Sequence, residues 1–443
     1  MQQLDRSKQP KAATSFDWTL PEPSFKTLKN GIKFQTLEVG NQDIFRLDLV
    51  FQAGRIWQTD LLQALFTCSM LKEGTSTYSS LEIAEILDTH GAILDVTCAI
   101  EYSYVTLYSL NKHAKTLLPL IYSIVTEPTF PNQELELIVD HNKQYLQVQL
   151  EKVSYLASRK MSKALFGENH PYSTQAELSD FDKINREMIQ HFFDSRYSNN
   201  TCMISLAGQL NAELISLIEK QFGNHPFGNQ EAKILPVKIK EGKRVTQRDF
   251  FIPVEESQQC AVLMGAPCMN IFDKDFFGMK FLIVLLGGYF GSRLMANIRE
   301  KEGLTYGIYS DILPMPHAGV YQIVAETDGK YVTQLKASVK RELSKLQKEL
   351  IPAEELERVR QYMLGEMCRS NEGIFALTES WIYLYTHHLP KEHYSQMVEK
   401  IKTISAQELL ELANKYLHTD DLTVVVAGKT VITSDTDDNA EKD

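Results

Sequence analysis

Hydrophobic positions alternate along some stretches of the chain and recur every three to four residues along others, so the sequence reads as strands mixed with helices. Phe45, Leu47, Leu49 and Phe51 alternate with Arg46, Asp48 and Val50, and Val105, Leu107 and Ser109 keep a similar rhythm, which predicts two strands. Helical spacing predicts helices over Asp60 to Leu71, Ser80 to His90, Lys112 to Val125, Pro131 to Leu165, Asp273 to Leu286, Gly329 to Lys348, Pro352 to Met367 and Ala406 to Tyr416. Ser79-x-x-Glu82 has the spacing of a capping box, in which each side chain satisfies a backbone N–H of the first turn. Strands interleaved with paired helices predict an α+β fold with mostly antiparallel sheets.

The pattern occurs twice. Tyr197 to Gly208 lines up with Leu417 to Gly428, each a polar turn followed by an apolar strand ending in Ala-Gly, and each preceded by an amphipathic helix (Asn185 to Phe193, Ala406 to Tyr416). Pro131-x-x-Glu134-Leu135-Glu136 matches Pro352-x-x-Glu355-Leu356-Glu357, with proline at a helix start and acids where the helix dipole favours them. A third, weaker match sets Ile83 to Gly91 beside Met295 to Gly303, helices that each end at a glycine able to cap them. A spacing this long is a domain duplication and not a solenoid repeat. Two homologous domains are therefore expected over 20–225 and 247–430. They are joined by a linker, 226–246, inside the Gly-, Pro- and charge-rich stretch Asn224 to Gln247, and followed by a solvated acidic tail, 434–443.

Composition narrows the function classes. The 443 residues carry 46 Lys and Arg against 57 Asp and Glu, a net charge of −11 that argues against a general nucleic-acid binder. With 43% hydrophobic and 23% charged residues the chain is globular and not disordered. The longest apolar runs, Leu117 to Val125 and Phe281 to Leu286, fall well short of the ~18 to 20 residues of a bilayer span, so no membrane span is expected. Met1 to Thr14 holds no apolar stretch that would serve as the core of a secretory signal, and the six cysteines show no CxxC spacing; the chain is expected to be cytoplasmic.

A zinc hydrolase needs two histidines on one helical face with a carboxylate, yet none of the eleven histidines forms HExxH or HxxEH. His388 and His393 are five apart with Pro390 between them, which puts their rings about 140° apart on a helix the proline would interrupt; a surface turn is expected there. Cys68 reads as a buried structural thiol, and Gly287-Gly288-x-x-Gly291 lacks the context of a dinucleotide fingerprint. The segment Leu286 to Ser310 is more informative. Arg299 falls in the last turn of a short helix, Gly303 caps it, and Tyr306 begins a strand seven residues on. A guanidinium and a phenol so placed can converge on one carbonyl oxygen, to hold a peptide or stabilise an oxyanion. The alternative is that Arg299 pairs with neighbouring acids and Tyr306 packs in the sheet.

At these residues the sequence resembles the pitrilysin/insulinase family of inverzincin metallopeptidases (peptidase family M16), especially the half-size members that work as two chains, such as the mitochondrial processing peptidase. The resemblance runs through Leu28 to Phe34, Phe51 to Gly54, Leu71 to Thr75, His170-Pro171-Tyr172 and Ser292 to Tyr306, where Arg299 and Tyr306 match the family's Arg/Tyr pair. It implies two homologous domains of the LuxS/MPP-like metallopeptidase type. Counting back from Gly74-Thr75, the family's HxxEH falls on Leu65 to Ser69: the ligand positions are Leu65 and Ser69, and the general-base position is Cys68. The third ligand, a glutamate, would fall near Gln144, Tyr145 or Leu146, none of which is a carboxylate.

The resemblance therefore implies no catalytic residue and no metal in this chain alone. It points to the non-catalytic subunit of a heterodimer, whose zinc-bearing paralogous partner would supply the metal while Arg299 and Tyr306 bind a peptide or unfolded polypeptide near the scissile carbonyl. The rival expectation is a structural or peptide-binding pseudoenzyme with no role in hydrolysis, for which retention of both Arg299 and Tyr306 has no evident use.

Overall fold

The computed structural model describes residues 19–237, 239 and 244–429. The acidic tail 434–443, the start Met1 to Thr14 and part of the linker lie outside the described residues.

Two sheets organise the fold. The first holds β1 (Ser24–Thr27), β2 (Lys33–Glu38), β3 (Ile44–Phe51), β4 (Ile93–Cys98), β5 (Ser103–Leu110) and β6 (Cys202–Gly208), in the order β1-β2-β6-β3-β5-β4. The second holds β7 (Asp249–Pro253), β8 (Cys260–Cys268), β9 (Ile308–Pro314), β10 (Gly319–Thr327) and β11 (Thr423–Gly428), in the order β7-β11-β8-β10-β9. With β1 set aside the two orders are the same. In each sheet the strand ending in Ala-Gly pairs in parallel with one neighbour (β6 with β2, β11 with β7), and the other pairings are antiparallel. This is the α+β architecture that the alternating and helical spacings predict.

The central strands of each sheet are buried on both faces, and their second face is covered by the other half of the chain. Phe45, Leu47, Leu49 and Phe51 of β3 enter one core with the helices of their own half. On the opposite face, Val50 and Met203 pack with Ile382, and Leu37 and Ala207 pack with Trp381 and Leu384, all on helix Ile374–Thr386 of the second half. Reciprocally, Ala157, Met161 and Leu165 of helix Val153–Phe166 cover Ala261, Leu263, Val425 and Ala427 of the second sheet.

This exchange explains a departure from the periodicity. The single helix expected over Pro131 to Leu165 is two, Asn132–Leu150 and Val153–Phe166, parted where Lys152 turns extended (ψ 125°). The first stays with its own half, and the second leaves to cover the other sheet. The Ser79/Glu82 capping box forms in full, with Ser79 N–H donating to Glu82 at 2.8 Å. Among the described residues no helix is long and apolar enough to cross a membrane.

Candidate functional site

Helix Phe276–Gly287 is apolar on nearly every face and sits inside the second core. It stops where the chain must pass close to β9: a Cβ on Gly287 would lie 2.6 Å from the Ser310 nitrogen. A wide, π-type helical segment, Met295–Lys301, follows. Leu294 and Ile298 anchor it in the core, Arg293 grips Glu355 through two parallel bonds of 2.8 Å, and Glu302 accepts from Ser338 and Arg341 on the helix behind. Gly303 then turns the chain at φ +66°, a conformation that disfavours a side chain, and releases it into β9.

These anchors leave Arg299 and Tyr306 on the outside. Arg299 Nε donates to the backbone carbonyl of Tyr306 at 2.9 Å. Its guanidinium lies 4.9 Å from the ring centroid of exposed Phe290, a cation–π contact, and 3.9 Å from a Glu300 carboxylate oxygen. The Tyr306 side chain points outward, with the residue 89% exposed. Both residues line a cleft of 690 Å³ with Gln258, Thr305, Asp328 and Tyr331. The two residues thus meet, but through Tyr306's own carbonyl and not on a shared external oxygen. Tyr306 does not pack in the sheet. Phe290, the support under Arg299, has a signal in the sequence only in hindsight: a bulky aromatic inside a glycine-flanked turn.

Leu65, Cys68 and Ser69, where the resemblance would set the zinc motif, fall on helix Gln63–Met70. Leu65 and Ser69 are half-buried and Cys68 is 1% exposed, its thiol pushed well above the usual range by burial. Gln144 and Tyr145 are exposed and Leu146 is buried. A hydrocarbon side chain, an inert buried thiol and a neutral hydroxyl do not fit a catalytic zinc, and the described residues hold no group of three or more His, Cys, Asp or Glu able to take a metal. His388 is exposed, with φ +54°, in the turn expected there, but His393 is a correction: it starts helix His393–Thr403, buried, with its ring 5.0 Å from that of Phe277.

Residues 41–175 match the family described as Insulinase (Peptidase family M16), and residues 183–363 match the Peptidase M16 inactive domain. The chain belongs to peptidase family M16. Among relatives of this M16 chain, the uncharacterized zinc protease YmxG of Bacillus subtilis is 26% identical over 69% of this chain and 73% of its own. The non-peptidase homolog YmxG of Helicobacter pylori is 25% identical over 81% and 82%. The crystal structure of a peptidase M16 inactive domain from Pseudomonas fluorescens shares the fold, with a TM-score of 0.84 at 23% identity over 93% of this chain and 98% of that one.

Proposed function

We propose that this M16 chain is a zinc-less, non-catalytic subunit that holds an extended polypeptide at Arg299 and Tyr306 and completes the site of a zinc-bearing paralogous partner. The observation that carries the reading is the Arg299–Tyr306 pair at the cleft, held by a 2.9 Å bond, with Tyr306 89% exposed. A tyrosine so exposed contributes little to the core, and its phenol stands free to donate to a backbone carbonyl or a developing oxyanion of a bound polypeptide.

Two features support the reading. Tyr306 leads directly into β9, the outer strand of its sheet, whose unpaired edge can take an added strand. Leu65, Cys68 and Ser69 leave the zinc and its general base to a second chain. The naming of the Helicobacter pylori relative as a non-peptidase homolog agrees with this. The six free thiols suit a reducing compartment, and we place the chain in the cytoplasm on that basis.

The test is reconstitution of the chain with the paralogue that co-purifies with it, followed by peptide-cleavage assays of Arg299→Ala and Tyr306→Phe. Loss of a transition-state donor lowers turnover ~100-fold or more, so a loss of that order in the pair is expected. Unchanged proteolysis by both variants would remove the substrate-holding role and leave a scaffold.

A further inference from the structure

Helix Phe276–Gly287 carries a lysine, Lys280, in an otherwise apolar sequence packed inside the second core. Lys280, Val284 and Gly288 recur every fourth residue, so they share one face of the helix, and all three line a cavity of 360 Å³. Helices Ala353–Ser370 and His393–Thr403 supply its other walls: Met363, Met367, Met397 and Ile401 are buried there, and Tyr362 and Tyr394 add aromatic surface.

A lysine so placed needs a counter-charge, and the fold puts none in contact with it. Lys280 makes no hydrogen bond or ion pair among the described residues, and its nitrogen keeps accessible surface. Asp311 on β9 attracts it from beyond ion-pair distance. Asn371, Ser380, Ser370 and Glu366 also line the cavity, but they are engaged with other groups. Asn371 donates to the Met367 carbonyl at 2.9 Å and accepts from Ser380 at 2.6 Å, while Glu366 accepts from Arg369 at 3.0 Å and from Ser370 at 3.2 Å. An unpaired amine in a space walled by methionines and aromatic rings calls for a ligand with an acceptor head and an apolar body. One lysine, with no arginine beside it in the lining, matches a carboxylate better than a phosphate, and flexible methionine side chains adapt to a chain that itself bends. At ~30 Å³ per water-sized unit, the space suits a chain of about eight to ten carbons. We propose that this cavity binds a carboxylate carried on an apolar chain, with the Lys280 ammonium pairing with the carboxylate and Met363, Met367 and Met397 packing on the chain. Its source is either a free fatty acid or the C-terminal residue of an apolar peptide.

The neighbouring charges agree. Burial holds Lys280 below the usual lysine range while Asp311 pulls it upward, and a bound carboxylate supplies the charge that restores the ammonium form. Burial, with Lys280 adding to it, brings His393 down to about 4, so that ring is neutral at pH 7 and does not compete for the carboxylate. Glu366 is held below the usual carboxylate range by Arg369 and Ser370, and its charge is already matched by Arg369.

Titration calorimetry of the full chain with sodium octanoate tests this. The expected result is saturable one-to-one binding with a Kd on the order of 0.1 mM, and at least ~tenfold weaker binding of octanol and of octylammonium, which share the chain and lack the carboxylate. Lys280→Met, which keeps an apolar side chain and removes the charge, weakens octanoate binding by ~tenfold or more. Should that variant not fold by circular dichroism, the parent chain decides: octanoate slows reductive methylation of Lys280, read by peptide mass spectrometry, and leaves that of exposed Lys152 unchanged. An N-acetylated apolar tripeptide with a free C-terminus that binds at least as tightly as octanoate identifies polypeptide as the source, and its exclusion identifies a free fatty acid. No saturation by about 5 mM octanoate, equal affinity in Lys280→Met, equal binding of octanol, or unslowed methylation of Lys280 would overturn the proposal.

Discussion

Arg46→Met tests how the two halves are locked together. Arg46 and Asp48 lie on the face of β3 that helix Ile374–Thr386 covers, and their side chains are 7% and 0% exposed. Arg46 Nε lies 3.0 and 2.9 Å from the two Asp48 oxygens, Nη2 donates at 2.9 Å, and the Thr106 hydroxyl adds a bond of 2.8 Å. Arg46 Nη1 reaches the covering helix, donating to Glu379 at 2.8 Å and to the Phe375 carbonyl at 3.3 Å. Unit charges near 3 Å attract by about 5 kcal/mol at an effective dielectric of 20. Methionine keeps much of the volume but leaves Asp48 buried with only the Thr106 hydroxyl, and breaking such a pair costs ~3 to 5 kcal/mol. Glu379 is mostly exposed, so Glu379→Gln costs under ~1 kcal/mol. Replacing both charges, Arg46→Met with Asp48→Leu, restores stability to within ~1 to 2 kcal/mol of the parent. Urea unfolding at pH 7, followed by tryptophan fluorescence with Trp381 on the covering helix as a reporter, measures all four proteins. A loss below ~1 kcal/mol in Arg46→Met, or a double variant as unstable as the single one, would refute the reasoning.

Met161→Ala, on the helix that crosses in the other direction, removes a buried side chain from the contact with the second sheet and lowers stability by ~2 to 5 kcal/mol in the same assay. Burial lifts the Glu101 carboxyl to about 7, above the usual 4.5, so the folded state holds the proton more tightly than the unfolded one. Its contribution is complete below pH 4.5 and is lost as pH rises through 7, a change of roughly 3 kcal/mol, so the stability difference between the parent and Glu101→Gln shifts by that order between pH 4.5 and pH 8. A difference independent of pH would contradict it. Arg299→Ala and Tyr306→Phe leave urea stability within ~0.5 kcal/mol of the parent, because both side chains stand outside the core; a larger loss would make them structural.

Local pattern carried much of the fold. The Ser79/Glu82 cap, the β3 alternation and helix Ala406–Tyr416 were legible because each depends on residues near one another in sequence. The exchange of helices was not. Met161 and Trp381 carry the same helical spacing whichever sheet they cover, so periodicity gives the buried face and not its partner. The same holds for Arg46 and Asp48, whose polar character on an alternating strand reads as a solvated face until a helix from the other half covers it. At the candidate site, the spacing of Arg299 and Tyr306 was readable because one helical turn, Gly303 and the start of β9 bring them together. Lys280, Met367 and Met397 were not readable as a group, since they come from helices far apart in the chain and meet only when those helices pack.

The most direct measurement of the central claim is to recover the tagged chain from its native cells, identify what accompanies it, and assay zinc and peptide cleavage on the complex and on the isolated chain. The account predicts a companion of similar size, with zinc and cleavage present in the complex and absent from the isolated chain. Stoichiometric zinc and cleavage in the isolated chain would contradict it, and with it the reading of Leu65, Cys68 and Ser69.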